Sequence, residues 1–220
     1  MNSKIKAVIF DFDGLLVNTE ELREQSLVNF LKKYGKEFVF SDYKKTMLGS
    51  TEDVTKFLKS RYRLKGAINA LSKERRTYFD VLFQNRLALQ AGVLEVLGRA
   101  RSLGFKLAIA SNRSKADVTD ALQRLGILDF FEAVVNVEEV VNKKPDPEIY
   151  LLTAEKLGVD PSECLVLEDA PHGVEAGKGA GMRVIYVPST RYFENTHEKA
   201  DLIFQSLHEL TDAVMGKLSK

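Results

Sequence analysis

The 220-residue sequence predicts an α/β fold, a mostly parallel sheet covered by helices with a separate helical segment inserted after the first strand. Two observations carry the prediction. Short β-rich apolar runs recur at Ile5–Phe10, Leu107–Ala110, Ala133–Val137, Cys164–Leu167 and Val184–Val187, with helical patterning between them. Such alternation is what a parallel sheet needs, because each strand must be returned by a crossover that covers a sheet face. The second observation is the gap between the first two runs. A crossover takes about a dozen residues or somewhat more, so the distance from Asp11 to Leu107 implies an insertion.

Each element has its own signal. Val93, Val96, Leu97 and Ala100 recur at helical spacing, as do Val118, Ala121, Leu122 and Leu125, so each set draws one apolar stripe. Gly104 and Gly126 stand where those helices should stop, and Asp160-Pro161 marks a turn before the fourth strand. Inside the gap, Leu27, Phe30, Leu31 and Tyr34 form one stripe and Tyr78, Phe79, Leu82 and Phe83 another. Residues 18–90 therefore read as a helical cap, and 1–17 with 91–220 as the α/β core. Leu207, Leu210, Val214 and Leu218 predict a last amphipathic helix that completes the core.

Composition narrows the class. With 45% hydrophobic and 29% charged residues the chain reads as globular, and 32 basic against 31 acidic residues give no electrostatic footprint for nucleic acid. The single cysteine, Cys164, lies in an apolar run and reads as a buried thiol; it excludes an intramolecular disulfide. The apolar run Ala7 to Phe10 is too short for a signal peptide or a membrane span. A cytoplasmic monomer without a nucleic-acid or membrane partner is the expectation.

Polar residues gather at strand ends. The first strand runs into Asp11-Phe12-Asp13-Gly14, the second into Ser111-Asn112 and the fourth into Glu168-Asp169, while Lys144-Pro145 opens the helix after the third. In open parallel sheets ligands bind beyond the carboxyl ends of the strands, so these places can share one rim. Carboxylates so gathered raise one another's pKa unless a cation intervenes. Oxygen-only donors favour a hard cation, and Mg²⁺ suits a few carboxylates plus a phosphate oxygen.

These same stretches carry a resemblance. Asp11-Phe12-Asp13-Gly14-Leu15-Leu16-Val17-Asn18-Thr19-Glu20, Ser111-Asn112, Lys144-Pro145-Asp146-Pro147 and Leu167-Glu168-Asp169-Ala170-Pro171 resemble, in order, the four signature motifs of the haloacid dehalogenase superfamily. The cap placed after the first motif resembles the β-phosphoglucomutase-like branch. The resemblance implies a Rossmann-like core and a Mg²⁺-dependent phosphatase acting on a small phosphate ester, such as a sugar, polyol or nucleoside phosphate.

It also implies roles. Asp11 would be the nucleophile that forms an aspartyl-phosphate, and Asp13 the acid, then the base. Ser111 and Asn112 would bind the phosphoryl group, with Lys144 neutralising its charge and the nucleophile's. Asp169 would hold Mg²⁺ with Asp11 and the main-chain carbonyl of Asp13, with Glu168 as a ligand or a neighbour of the ligands. Lys143 replaces the glycine usual before the catalytic lysine and reads as exposed, while His172 reads as a loop or helix-start residue. The cap loop Gly49, Ser50, Thr51 and Glu52 supplies substrate candidates, as does Arg23.

Two alternatives share the chemistry. A phosphosugar mutase of the same branch uses a histidine on the first cap helix and an arginine on the cap loop, where Arg23 and Glu52 stand in this chain. A carboxylate at the arginine position opposes a distal phosphate, which favours the phosphatase. A phospho-acceptor signalling domain also uses acidic groups, Mg²⁺ and lysine, but is much shorter and has no large cap.

Overall fold

A computed structural model describes residues 4–47, 50–189, 191–194 and 197–218. The chain divides into two compact units, Met1–Val17 with Ala88–Lys220, and Asn18–Leu87.

The first unit is built on a six-stranded parallel sheet. Its strands are β1 (Ala7–Phe10), β2 (Lys106–Ser111), β3 (Ala133–Asn136), β4 (Cys164–Glu168), β5 (Arg183–Tyr186) and β6 (Leu202–Ile203), in the spatial order β3-β2-β1-β4-β5-β6. All five pairings are parallel. The order reverses beside β1, the switch point at which an open sheet leaves a crevice at its carboxyl edge. Register sets what meets there. Phe10 pairs with Ile109 on one side and Leu167 on the other, which brings the next residues, Asp11, Ala110 and Glu168, to one level.

Helices of this unit are α5 (Val93–Ser102), α6 (Lys115–Arg124), α7 (Glu148–Leu157), α8 (Pro171–Gly179) and α9 (Asp212–Leu218). One sheet face, through Ala7, Ile9, Ala108, Ala110, Cys164, Val166 and Val184, packs on Ile149, Tyr150 and Ala154 of α7 and Val174 and Ala176 of α8. The alternate strand residues Val8, Phe10, Leu107, Ile109, Leu165 and Leu167 are also buried, as are Val93, Val96, Leu97 and Ala100 of α5, which lies beside β2. Strands covered on both faces read as continuous apolar runs, and that is why they stand out in the sequence. Cys164 is buried in β4, and burial pushes its thiol up to about 12.

Two expectations need correction, and one strand was not read from the sequence. The C-terminal helix is two pieces, a 3-10 turn at Leu207–Glu209 and the short α9; Leu207, Leu210 and Met215 are buried, whereas Val214 is half-buried. Strand β6, two residues long, carried no run for periodicity to detect. Residues 88–90, read as the end of the cap, lie with the sheet: Leu89 bridges Val17, and Gln90 donates from its main chain to Leu16 O and from its side chain to Gly14 O.

The second unit is helical, with α1 (Thr19–Lys33), α2 (Tyr43–Met47), α3 (Thr51–Tyr62) and α4 (Ile68–Arg86). Helices α1 and α4 pack through the stripes read from the sequence. Leu27, Phe30, Leu31, Leu82 and Phe83 are buried, and Phe30 meets Tyr34 and Tyr78 edge-on at ring separations of 5.3 and 6.2 Å. Such aromatic pairs add to the area buried. Helix α3 starts at Ser50, whose hydroxyl accepts from Asp53 N at 3.2 Å and so satisfies one unpaired N–H of the first turn.

Candidate active site

Asp11 is the first residue beyond β1, and its N–H donates to Leu167 O at 3.0 Å, so the sheet ladder itself fixes where the carboxylate emerges. The chain then turns at Gly14, with φ of 81°, and Gly14 N donates back to Val17 O. The turn lies against Asp169: a Cβ at Gly14 would stand 2.0 Å from Asp169 Oδ2. Glycine is required twice over there, by the left-handed conformation and by the close approach.

Lys144 organises the cluster. Its Nζ donates to Asp11 Oδ1 at 2.6 Å, Glu168 Oε1 at 2.6 Å and Ala110 O at 2.9 Å, which matches the three donors of an ammonium. Its main-chain N–H is held by Asn112 Oδ1 at 3.2 Å. Lys144 is 3% exposed, whereas Lys143 is exposed, as read from the sequence. Asp11, Ser111, Glu168 and Asp169 are buried as well, and Asn112 is half-buried.

Electrostatics follow from that burial. Burial first, then the Glu168 charge, pushes the Asp11 carboxyl up to about 8, against the opposing pull of Lys144. For Lys144 burial favours the neutral amine, but the carboxylates of Asp11 and Glu168 outweigh it and hold the ammonium well above its ordinary range. A carboxylate held so high needs a further cation to be fully ionised near neutrality. Asp11, Glu168 and Asp169 offer one oxygen each within 4.8 Å of one another, a set able to hold a metal ion. All three donors are carboxylates, without histidine or sulfur, and this chemistry fits a hard divalent cation.

Two residues in this cluster escaped the sequence reading. Tyr150 of α7 donates its phenol O–H to Glu168 Oε1 at 2.5 Å, and its ring lies 4.7 Å from Lys144 Nζ. A tyrosine on the buried face of a helix must find a hydrogen-bond partner, and that was the available signal. Arg113 grips Asp13, with Nη2 2.6 Å from Oδ1 and Nε 3.1 Å from each carboxylate oxygen. Only its position next to Ser111-Asn112 pointed to it.

The cap candidates lie in the helical unit. Arg23 pairs with Glu20 at 3.2 Å, and Glu20 also accepts from Tyr43 at 2.8 Å. Ser50 caps α3, exposed Thr51 opens it, and exposed Glu52 pairs with Lys56 at 2.7 Å. Gly49 lies outside the described residues. His172 is the second residue of α8.

Fold and cluster together define the class: an α/β protein with a buried, lysine-bridged carboxylate centre at the carboxyl edge of its sheet. The chain belongs to the haloacid dehalogenase-like hydrolase family, whose model matches residues 8–187. It is 34% identical over 182 residues to a phosphorylated carbohydrates phosphatase of Thermotoga maritima, covering 83% of this chain and 84% of that protein. A solved structure from Thermotoga maritima, provisionally assigned as a β-phosphoglucomutase, matches with a TM-score of 0.83 and 29% identity, over 96% of this chain and 99% of its own. The structure of a CbbY variant from Rhodobacter sphaeroides in complex with xylulose-(1,5)bisphosphate matches with a TM-score of 0.75 and 27% identity, over 94% and 96%. Family and relatives make the enzyme class that of the phosphoric monoester hydrolases.

Proposed function

We propose that this enzyme hydrolyses a small phosphorylated metabolite, a sugar, polyol or nucleoside monophosphate, with Mg²⁺ and through a phosphorylated Asp11. The observation that carries the reading is Asp11 itself, bridged by Lys144 at 2.6 Å and within 4.8 Å of the Glu168 and Asp169 oxygens. With a cation on those oxygens, that surrounding would keep the Asp11 carboxylate ionised beside an incoming phosphate. The phosphatase from Thermotoga maritima that acts on phosphorylated carbohydrates supports the sugar end of the range.

In the first step an Asp11 oxygen bonds to phosphorus as the ester P–O bond breaks, and Asp13 gives its proton to the leaving oxygen. In the second, Asp13 takes a proton from water as the water attacks phosphorus, releasing inorganic phosphate and restoring Asp11. Ser111 and Asn112 donate to the phosphoryl oxygens, and Lys144 balances their charge. Asp11, Asp169 and the Asp13 carbonyl would hold the Mg²⁺, with Glu168 beside them. When bound, the ion lowers the cost of bringing a dianion to a carboxylate. The inserted helical unit, 18–87 by its contacts, selects the alcohol portion of the substrate.

The mutase alternative draws support from the β-phosphoglucomutase-like match. Against it, the cap-loop position where that branch carries arginine is Glu52, a carboxylate already paired with Lys56. The test is a screen of phosphorylated metabolites with Mg²⁺, ranked by kcat/KM, together with hexose 1-phosphates followed for product. Free phosphate and free sugar are expected. Sustained hexose 6-phosphate formation, stimulated by a bisphosphate, would replace the phosphatase with a mutase.

A further inference from the structure

Arg113 lies between β2 and α6 and is tied at both its main chain and its side chain. Its N–H donates to Ser111 Oγ at 3.1 Å, and its Nη1 stands 3.6 Å from Asp117 Oδ2 on the first turn of α6. That turn is itself fixed by Ser114, whose hydroxyl accepts from Asp117 N at 3.3 Å. The guanidinium thus has a defined place, with its side chain only 11% exposed, before it reaches Asp13.

Asp13 is the more exposed partner, its side chain at 23%, so packing alone holds it less firmly than the buried Asp11. The fork does more. A guanidinium that meets a carboxylate through two nitrogens fixes the plane of the carboxylate as well as its position, which a lysine point charge cannot do. The contacts are also unequal: Oδ1 takes both the 2.6 Å bond from Nη2 and a 3.1 Å bond from Nε, whereas Oδ2 shares Nε at 3.1 Å. Oδ1 is the anchored oxygen.

We propose that Arg113 is a positioning residue for Asp13, anchoring Oδ1 so that Oδ2 carries the proton to the leaving ester oxygen. This rests on the phosphatase reading above and adds a residue to it. While Oδ2 is protonated, Oδ1 still accepts from Nη2, so the grip survives the acid form. As the ester P–O bond breaks and the new Asp11–phosphorus bond forms, the Oδ2 proton passes to the leaving oxygen and the fork meets a full carboxylate. The proton taken from water in the second step returns to Asp13 and resets the pair.

The experiment measures kcat/KM with Mg²⁺ supplied across aryl and alkyl phosphates that span leaving-group basicity. Wild type, R113Q, R113K and D13N are compared, with circular dichroism and thermal melts confirming the fold. A poor alkoxide leaving group needs protonation and a good phenolate one hardly does. R113Q should therefore lose roughly ten- to a hundredfold on alkyl phosphates, a share of the 10²- to 10⁴-fold typical of general acids, and only a few-fold on p-nitrophenyl phosphate. R113K should fall between and still show the steepened dependence, and it stands in if R113Q does not fold. An equal loss on every ester, or none, would overturn the positioning role. Absence of turnover by the wild type on all phosphate esters would instead remove the phosphatase reading itself.

Discussion

Tyr150 and Lys144 converge on a single oxygen of Glu168, the phenol at 2.5 Å and the ammonium at 2.6 Å from Oε1. Burial, then the charge of Glu168, holds the phenol well above its ordinary pKa, so it remains a donor at any physiological pH. Tyr150→Phe keeps the ring packed and removes only this bond. The expected result is a stability loss of about 1–3 kcal/mol, because a charged acceptor loses a buried donor, with a several-fold lower kcat. Unchanged melting and unchanged turnover would show that Lys144 alone suffices to fix Glu168.

Mg²⁺ dependence is the outcome expected of the three buried carboxylates. Chelation should abolish hydrolysis, and Mg²⁺ should restore it and raise the melting temperature, since a ligand that binds only the folded state stabilises it by mass action. Full activity in excess chelator would remove the metal from the mechanism.

The Asp11 carboxyl gives a pH signature in metal-free protein. Its folded pKa, raised from 3.8 to about 8, means that the folded chain keeps a proton that the unfolded chain has released. Stability from this group is thus full below about pH 4 and is lost as pH rises toward 8. Thermal melts over that window should show the decline, and Asp11→Asn, which cannot ionise, should flatten it while abolishing turnover and covalent labelling. A wild-type rate in that variant would exclude the phospho-enzyme.

Lys144 and its neighbour Lys143 provide an internal control. Lys144→Ala leaves Asp11 and Glu168 without their cation, which should cost about 3–5 kcal/mol, as for other broken buried ion pairs. It should also lower kcat by roughly 10²-fold or more, the loss seen when one electrostatic donor to a transition state is removed. Lys143→Ala should melt and turn over like wild type. Similar behaviour of the two variants, checked by melts and by phosphate release, would refute the assignment.

Gly173 tests the packing behind the site. A Cβ there would meet Glu168 at 1.8 Å from Oε1 and 1.9 Å from Cδ, on a carboxylate that Lys144 and Tyr150 hold in place. Gly173→Ala should therefore destabilise by about 1–3 kcal/mol, as overpacking does, and weaken Mg²⁺ binding by shifting Glu168. Calorimetry of both quantities checks it.

What was legible in the sequence is what repeats or clusters. Strands β1 to β5 are apolar runs because both faces are covered; Asp11, Ser111 and Asp169 stand at strand ends or just beyond them, and Lys144 stands in the stretch that leads into α7. Arg113 and Tyr150 were not legible, because their meaning lies in contacts across 100 and 18 residues that no local spacing encodes. The C-terminal stretch misled for a related reason: apolar residues at helical spacing there are buried by a 3-10 turn and a short helix rather than by one continuous helix.

The place of β1 in the sheet sets an order in time. The strand leading to Asp11 is made before its two neighbours, which pair with it through residues 106–109 and 164–167. During synthesis, four fully buried residues, Ala7 to Phe10, must wait as an unpaired apolar edge until β4 has emerged. The helical unit, contiguous over 18–87, has all of its own contacts available much earlier. Folding of the sheet is therefore governed by long-range closure, the slow kind of contact. Nascent chains halted before Cys164 should expose that edge to chaperones, and chains carried past Glu168 should not.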